Sequence, residues 1–131
     1  MCPLVRILFV DDNEDTCVAM TLLLGISGYE VMPATTAAEG LSLAKRQHFS
    51  LYILDNQLPD GTGIELCRQI RTFDARTPIL FCSGAVEEAE QQRALAAGAQ
   101  AYLTKPGEFD ALEPTIARLL KRSGAGAAGK E

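Results

Sequence analysis

Apolar residues gather into five short runs along the chain: "LVRILFV" (4–10), "EVMPA" (30–34), "LYILD" (51–55), "PILFCS" (78–83) and "AYLT" (101–104). Except for the second, the runs are nearly continuous and do not alternate with polar residues. Such continuity suits strands covered on both faces, as in a parallel sheet. Between the runs the pattern changes to helical spacing. Residues 13–27 carry Cys17, Met20, Leu23 and Leu24 on one stripe, with Gly28 as a stop. Residues 37–47 follow a capping box in which Thr36 and Glu39 satisfy each other's exposed amides. Residues 64–73 align Ile64, Cys67 and Ile70, and "VEEAEQQRALAAG" predicts a helix from 86 to Gly98. A last helix ends near Arg122, and Pro114 must lie in its first turn or kink it. Five strands alternating with five helices predict an α/β domain with a doubly wound five-stranded parallel sheet. In such sheets ligands bind outside the carboxyl ends of the strands.

The residues at those ends bear chemistry. The first strand runs into Asp11-Asp12, the third into Asp55, the fourth into Ser83-Gly84 and the fifth into Thr104-Lys105-Pro106. Each has an ordinary structural reading: Asp12 or Asn13 caps a helix, Asp55 starts a turn, Ser83 caps, Lys105 is a surface charge. Those readings weaken together, because the alternation brings all five side chains to one edge. Three crowded acids repel one another unless a cation sits among them, and a hard divalent ion such as Mg²⁺ suits carboxylate oxygens and water. With the ion bound, an Asp55 oxygen can attack a phosphoryl group to give an acyl phosphate. The ion and Lys105 would stabilise the transferring oxygens, and Ser83 would hydrogen-bond the bound group. Gly61 and Gly63 in the loop that follows would let the backbone pass close to the ion.

Composition narrows the field further. The 131 residues suit one domain, and 47% hydrophobic with 22% charged residues excludes a disordered chain. A net charge of −5 with no basic patch argues against direct nucleic-acid binding. Arg118, Lys121 and Arg122 read as the solvated face of the final helix. The four cysteines (2, 17, 67, 82) form no CxxC and have no histidine beside them, His48 being the only one. They read as small core residues in a reducing, cytoplasmic setting. No stretch approaches the ~20 apolar residues of a membrane span, so no membrane insertion is expected. The domain is expected over 1–122, with 123–131 as a flexible tail too short for an output module.

Taken in order, "VDD", "LDNQLPDGTG", "CSG" and "YLTKP" resemble the receiver domain of response regulators in two-component phosphorelay signalling, over residues 4–122. The resemblance implies flavodoxin-like receiver topology and assigns roles. Asp11 and Asp12 match the metal-binding acids, and Asp55 matches the phosphoacceptor. Gln57 matches the position whose backbone carbonyl ligates the metal, Mg²⁺ or Mn²⁺. Ser83 and Lys105 match the phosphoryl-binding hydroxyl and lysine, and Tyr102 the aromatic that turns inward when the hydroxyl moves. It further implies a phosphoryl donor, the phosphohistidine of a sensor histidine kinase or of a histidine phosphotransfer protein. It implies a downstream partner too, docking on the face formed by residues 86–106, whose acidic start (Glu87, Glu88, Glu90) suits a basic or mixed-charge patch. Such a domain catalyses only its own phosphorylation and dephosphorylation. Two positions depart from the usual pattern: Gly107 after "KP", with an aromatic only at Phe109, and the polar Asn56. The expected function is a phosphorylation-dependent switch, stand-alone or excised from a larger regulator or hybrid kinase. The alternatives are an unphosphorylated scaffold of the same fold, a haloacid-dehalogenase-type phosphatase, and a flavodoxin-like cofactor binder. The phosphatase would need DxD after the first strand, and the cofactor binder a glycine- and hydroxyl-rich loop there.

Overall fold

The computed structural model describes residues 4–84, 87–105 and 109–123. Five parallel strands, β1 (Arg6–Val10), β2 (Glu30–Ala34), β3 (Leu51–Leu54), β6 (Ile79–Ser83) and β7 (Ala101–Thr104), pair in the order β2-β1-β3-β6-β7. The helices are α1 (Glu14–Ile26), α2 (Ala37–Arg46), α3 (Gly63–Arg71), α4 (Glu88–Ala96) and α5 (Leu112–Ser123), the last preceded by a 3₁₀ turn, Phe109–Ala111. The predicted doubly wound α/β sheet is therefore the observed one, with element ends moved by a residue or two. Two short strands escaped the sequence reading: β4 (Gln57–Leu58) and β5 (Gly61–Thr62) form an antiparallel hairpin just after β3.

The period of two explains how the central strands divide their side chains. Leu8, Val10, Tyr52, Leu54, Ile79 and Phe81 join the core shared with α2, α3 and α4. Their neighbours Ile7, Phe9, Leu51, Ile53, Leu80 and Cys82 join the core shared with α1 and α5. Every residue of β1, β3 and β6 except the first of β1 is buried, as continuous apolar runs require. Strand β2 is less apolar because it lies at the sheet edge, where Pro33 lacks a ladder donor without harm. Cys17, Cys67 and Cys82 are buried among the core side chains, as expected; Cys2 lies outside the described residues. Burial pushes the Cys17 thiol up to about 11, with nearby acids adding to the shift.

Local signals set the helix ends. Asn13 caps α1 by accepting from the Thr16 amide at 3.0 Å. The Thr36–Glu39 box forms with one difference. Thr36 Oγ1 accepts from the Glu39 amide, but the Glu39 carboxylate takes the amide of Thr35, one residue before the expected partner. Pro114 lies in the first turn of α5, where its missing N–H has no helical partner to lose. In α1, Cys17, Met20 and Leu24 are buried as expected, but Leu23 is exposed together with Val18, Leu22 and Ile26. This helix is apolar around most of its circumference, so spacing alone did not identify its buried face. Among the described residues no helix is long and apolar enough to cross a membrane.

Candidate functional site

Sheet hydrogen bonding continues one residue past three strands and places the polar groups. The Asp11 amide donates to the Ala34 carbonyl (3.0 Å), that of Asp55 to Val10 (2.9 Å) and that of Lys105 to Ser83 (2.8 Å). Asp11, Asp55 and Lys105 thus start from fixed backbone positions at the carboxyl edge. With α1 capped by Asn13, the exposed Asp12 is free of the capping role that the sequence allowed it.

Lys105 Nζ donates to Asp11 Oδ2 at 2.7 Å and to Asp55 Oδ2 at 3.2 Å. Both acids are nearly sealed from solvent, at 1% and 8% exposure. Asp11 Oδ1 accepts from the Asn13 amide at 2.9 Å, so both of its oxygens are engaged. Burial alone would depress the Lys105 ammonium. Its bonds to Asp11 and Asp55 and their charges outweigh that effect and raise it above the ordinary lysine value.

One oxygen from each of Asp11, Asp12 and Asp55 lies within 4.8 Å of the others. Hard oxygen donors at this spacing, open to water on the Asp12 side, fit a divalent ion that keeps part of its hydration shell. The expected gathering of three acids and one ammonium is therefore present. Gln57 opens β4, two residues beyond Asp55, and its amide is 3.4 Å from Asp55 Oδ1.

Ser83, at 1% exposure, ends β6, and its hydroxyl shares a hydrogen bond with that of Tyr102. Burial raises the Tyr102 phenol, and this bond partly offsets the rise. The Tyr102 ring stacks on Phe81, with centroids 5.7 Å apart and planes 5° from parallel. Pro106 and Gly107, and with them the unusual position after "KP", lie outside the described residues.

Two features here were not read from the sequence. Asn56 is buried; its carbonyl accepts from the Gly63 amide (2.8 Å) and its Oδ1 from the Ile64 amide (3.1 Å). This polar departure closes the base of the loop that follows Asp55. Gly63 is required for a different reason from closeness to an ion: a Cβ there would lie 2.3 Å from the Asp55 carbonyl oxygen. A polar residue directly after a buried run, and a glycine at a helix start, were the signals available for both.

The sequence profile described as "Response regulator receiver domain" matches residues 7–117. The chain is 33% identical over 119 residues to the cell cycle transcriptional regulator CtrA of Caulobacter vibrioides, covering 91% of this chain and 52% of that protein. It is 32% identical over a like stretch to the cell cycle response regulator CtrA of Brucella abortus. The chain thus spans about half the length of these curated relatives. A CheY-like receiver domain protein from Methanospirillum hungatei superposes with a TM-score of 0.88 at 32% identity, over 92% of this chain and 97% of that one. Chemotaxis protein CheY4 of Vibrio cholerae gives 0.81 at 30% identity, over 89% and 99%.

Proposed function

The chain belongs to the response-regulator receiver family, whose members act in phosphorylation-dependent signalling, and we propose that Asp55 is its phosphoacceptor. The observation that carries this reading is the Asp11–Lys105–Asp55 bridge beside Asp12 at the carboxyl edge. An Asp55 oxygen attacks the phosphorus of a donor, the bond to the donor's leaving group breaks, and an aspartyl phosphate results. Asp11, Asp12, Asp55 and the Gln57 carbonyl would hold Mg²⁺ or Mn²⁺, which when bound supplies positive charge for the transferring oxygens. Lys105 already bonds Asp55 and keeps its proton through the neutral range, so it faces the arriving phosphoryl group as a cation. Beyond its own phosphorylation and dephosphorylation the domain performs no chemistry, and it acts in the cytoplasm, alone or as part of a larger regulator.

Ser83 and Tyr102 form the switch in this reading. The Ser83 hydroxyl has one proton to donate. Donating it to a phosphoryl oxygen leaves Ser83 only as an acceptor toward Tyr102, so filling the pocket alters the hydroxyl pair that joins β6 to β7. The change passes to the downstream partner through the edge that carries α4. It does so only to the extent that the phosphoryl group favours one arrangement over the other.

The donor is a phosphohistidine of a sensor histidine kinase or histidine phosphotransfer protein. It docks over α1, because this helix starts directly after Asp11-Asp12 and leaves Val18, Leu22, Leu23 and Ile26 exposed along its length. Leu22→Glu should slow transfer from such a donor and leave labelling by acetyl phosphate unchanged.

The deciding experiment for the site is incubation with acetyl phosphate and Mg²⁺, read by intact mass. One hydroxylamine-labile phosphoryl group should appear on the wild type and none on Asp55→Asn. Full labelling of that variant would refute the assignment.

A further inference from the structure

The hairpin after Asp55 is anchored at both ends, and only one anchor is explained by the chemistry above. Its base is closed by Asn56 against the first residues of α3. Its tip is a two-residue turn, Pro59-Asp60, that joins Leu58 to its pair Gly61, with the pair Gln57–Thr62 behind. At that tip the Asp60 carboxylate reaches across to another element. Oδ1 accepts from the Ala37 amide at 2.8 Å and Oδ2 from the Ala38 amide at 3.0 Å. These amides belong to the first turn of α2, whose orphan N–H groups and dipole favour an anion. The two bonds hold the Asp60 carboxyl below its ordinary value.

We infer that Asp60 is a positioning residue for the phosphorylation pocket: its clip to α2 fixes the hairpin, and through it the backbone that carries Asp55 and Gln57. A free hairpin of two residue pairs is too short to hold its own shape. Without the tip anchor, β4 and β5 would hinge about Asn56 and Gly63. The clip also connects the two sides of the pocket. Helix α2 follows directly on β2, and the Ala34 carbonyl at the end of β2 accepts the amide of Asp11. One short path thus runs from Asp11 through Ala34 and the start of α2 to Asp60, and back along β4 to Gln57 and Asp55.

Helix capping alone is a rival explanation for the same carboxylate, and the protein contains its own control. Thr36 caps the same helix through the Glu39 amide and makes no bond to the hairpin. The test compares wild type, Asp60→Ala and Thr36→Ala in three measurements. These are Mg²⁺ affinity from amide NMR titration, the rate of labelling by acetyl phosphate at saturating Mg²⁺, and hydrogen exchange of residues 57–62. Both variants should lose similar thermal stability. Only Asp60→Ala should weaken Mg²⁺ binding, by roughly tenfold, the low end for residues that support metal ligands. Only that variant should also label more slowly and exchange its hairpin amides faster. If Asp60→Ala matches Thr36→Ala in all three, Asp60 is a helix cap and nothing more. The inference rests on the pocket reading, and the two fail separately: wild type that binds no Mg²⁺ overturns the pocket, whereas equal binding by wild type and Asp60→Ala overturns only the clip.

Discussion

At the amino edge of the sheet, Arg6 donates to Glu30, to Gln47 and to the carbonyl of His48, and its guanidinium lies over the Phe49 ring at 5.2 Å. Nearby, Arg71 bonds the carbonyls of Asp74 and Gly98 and the side chain of Gln100. Asp74 is closed as well. Its burial would raise it, yet bonds from Thr77, Arg76 and the Tyr52 hydroxyl hold it below the ordinary value. At the carboxyl edge Lys105 bridges Asp11 and Asp55, and Asp12 stands beside them, so three carboxylates share one ammonium. The same sheet therefore has one edge where charges are matched and one where negative charge is in excess. Matched charge can only hold the fold together. Excess charge at a fixed position favours a bound cation, and it makes this edge the candidate site.

The difference predicts opposite responses to losing a cation. Lys105→Ala should leave two buried acids facing each other and destabilise the metal-free protein by about 2–3 kcal/mol, less than a fully buried pair would lose because Lys105 is partly exposed. Mg²⁺ should then restore more stability than it adds to the wild type, since the ion takes the place of the missing charge. Arg6→Ala should cost about 1–2 kcal/mol through lost hydrogen bonds and stacking. In that variant the Mg²⁺ response and acetyl-phosphate labelling should stay at wild-type level. Thermal melts with and without Mg²⁺ check both, and a changed Mg²⁺ response in Arg6→Ala would erase the contrast between the edges.

Proton linkage sharpens the comparison on the alkaline side. A thiol raised from 9.0 to about 11 in the folded state stays protonated there after the unfolded chain has released its proton. Its contribution is whole below pH 9.0, fades as pH rises toward 11, and amounts to about 1 kcal/mol by pH 10. Lys105, raised above 10.5, acts in the same sense at higher pH. Urea unfolding at pH 8 and pH 10 should show the loss in wild type, and Cys17→Ala should show less of it. The smallest effect is expected from Asp12→Ala. Relief of like-charge repulsion should raise the metal-free melting temperature slightly, and most of the Mg²⁺-dependent gain should vanish.

How much of this was legible follows from where the information sits. The central strands could be read because burial on both faces leaves an unbroken apolar run, as in Leu51–Leu54. The pocket could be read because chain alternation sends every strand's carboxyl end to one edge, which groups Asp11, Asp55, Ser83 and Lys105 without any knowledge of side-chain packing. The buried face of α1 could not. Leu23 and Leu24 are equally apolar, and only the position of the sheet decides that Leu24 is covered and Leu23 is not. The hairpin was missed although "LPDG" is a turn signal, because two-residue strands carry no periodicity. The Asp60 clip depends on bringing residue 60 against residues 37 and 38, a tertiary fact that local sequence does not contain.

The central claim, that the excess charge at the carboxyl edge is a binding site and the matched charge at the amino edge is not, is tested most directly by titrating Mg²⁺ into the metal-free protein and following backbone amides by NMR. The account predicts saturable shifts at residues 11–13, 55–63, 83–84 and 105, with residues 47–49, 74–77 and 98–100 unmoved. Shifts centred on the amino edge, or none at the aspartates while millimolar Mg²⁺ is present, would contradict it.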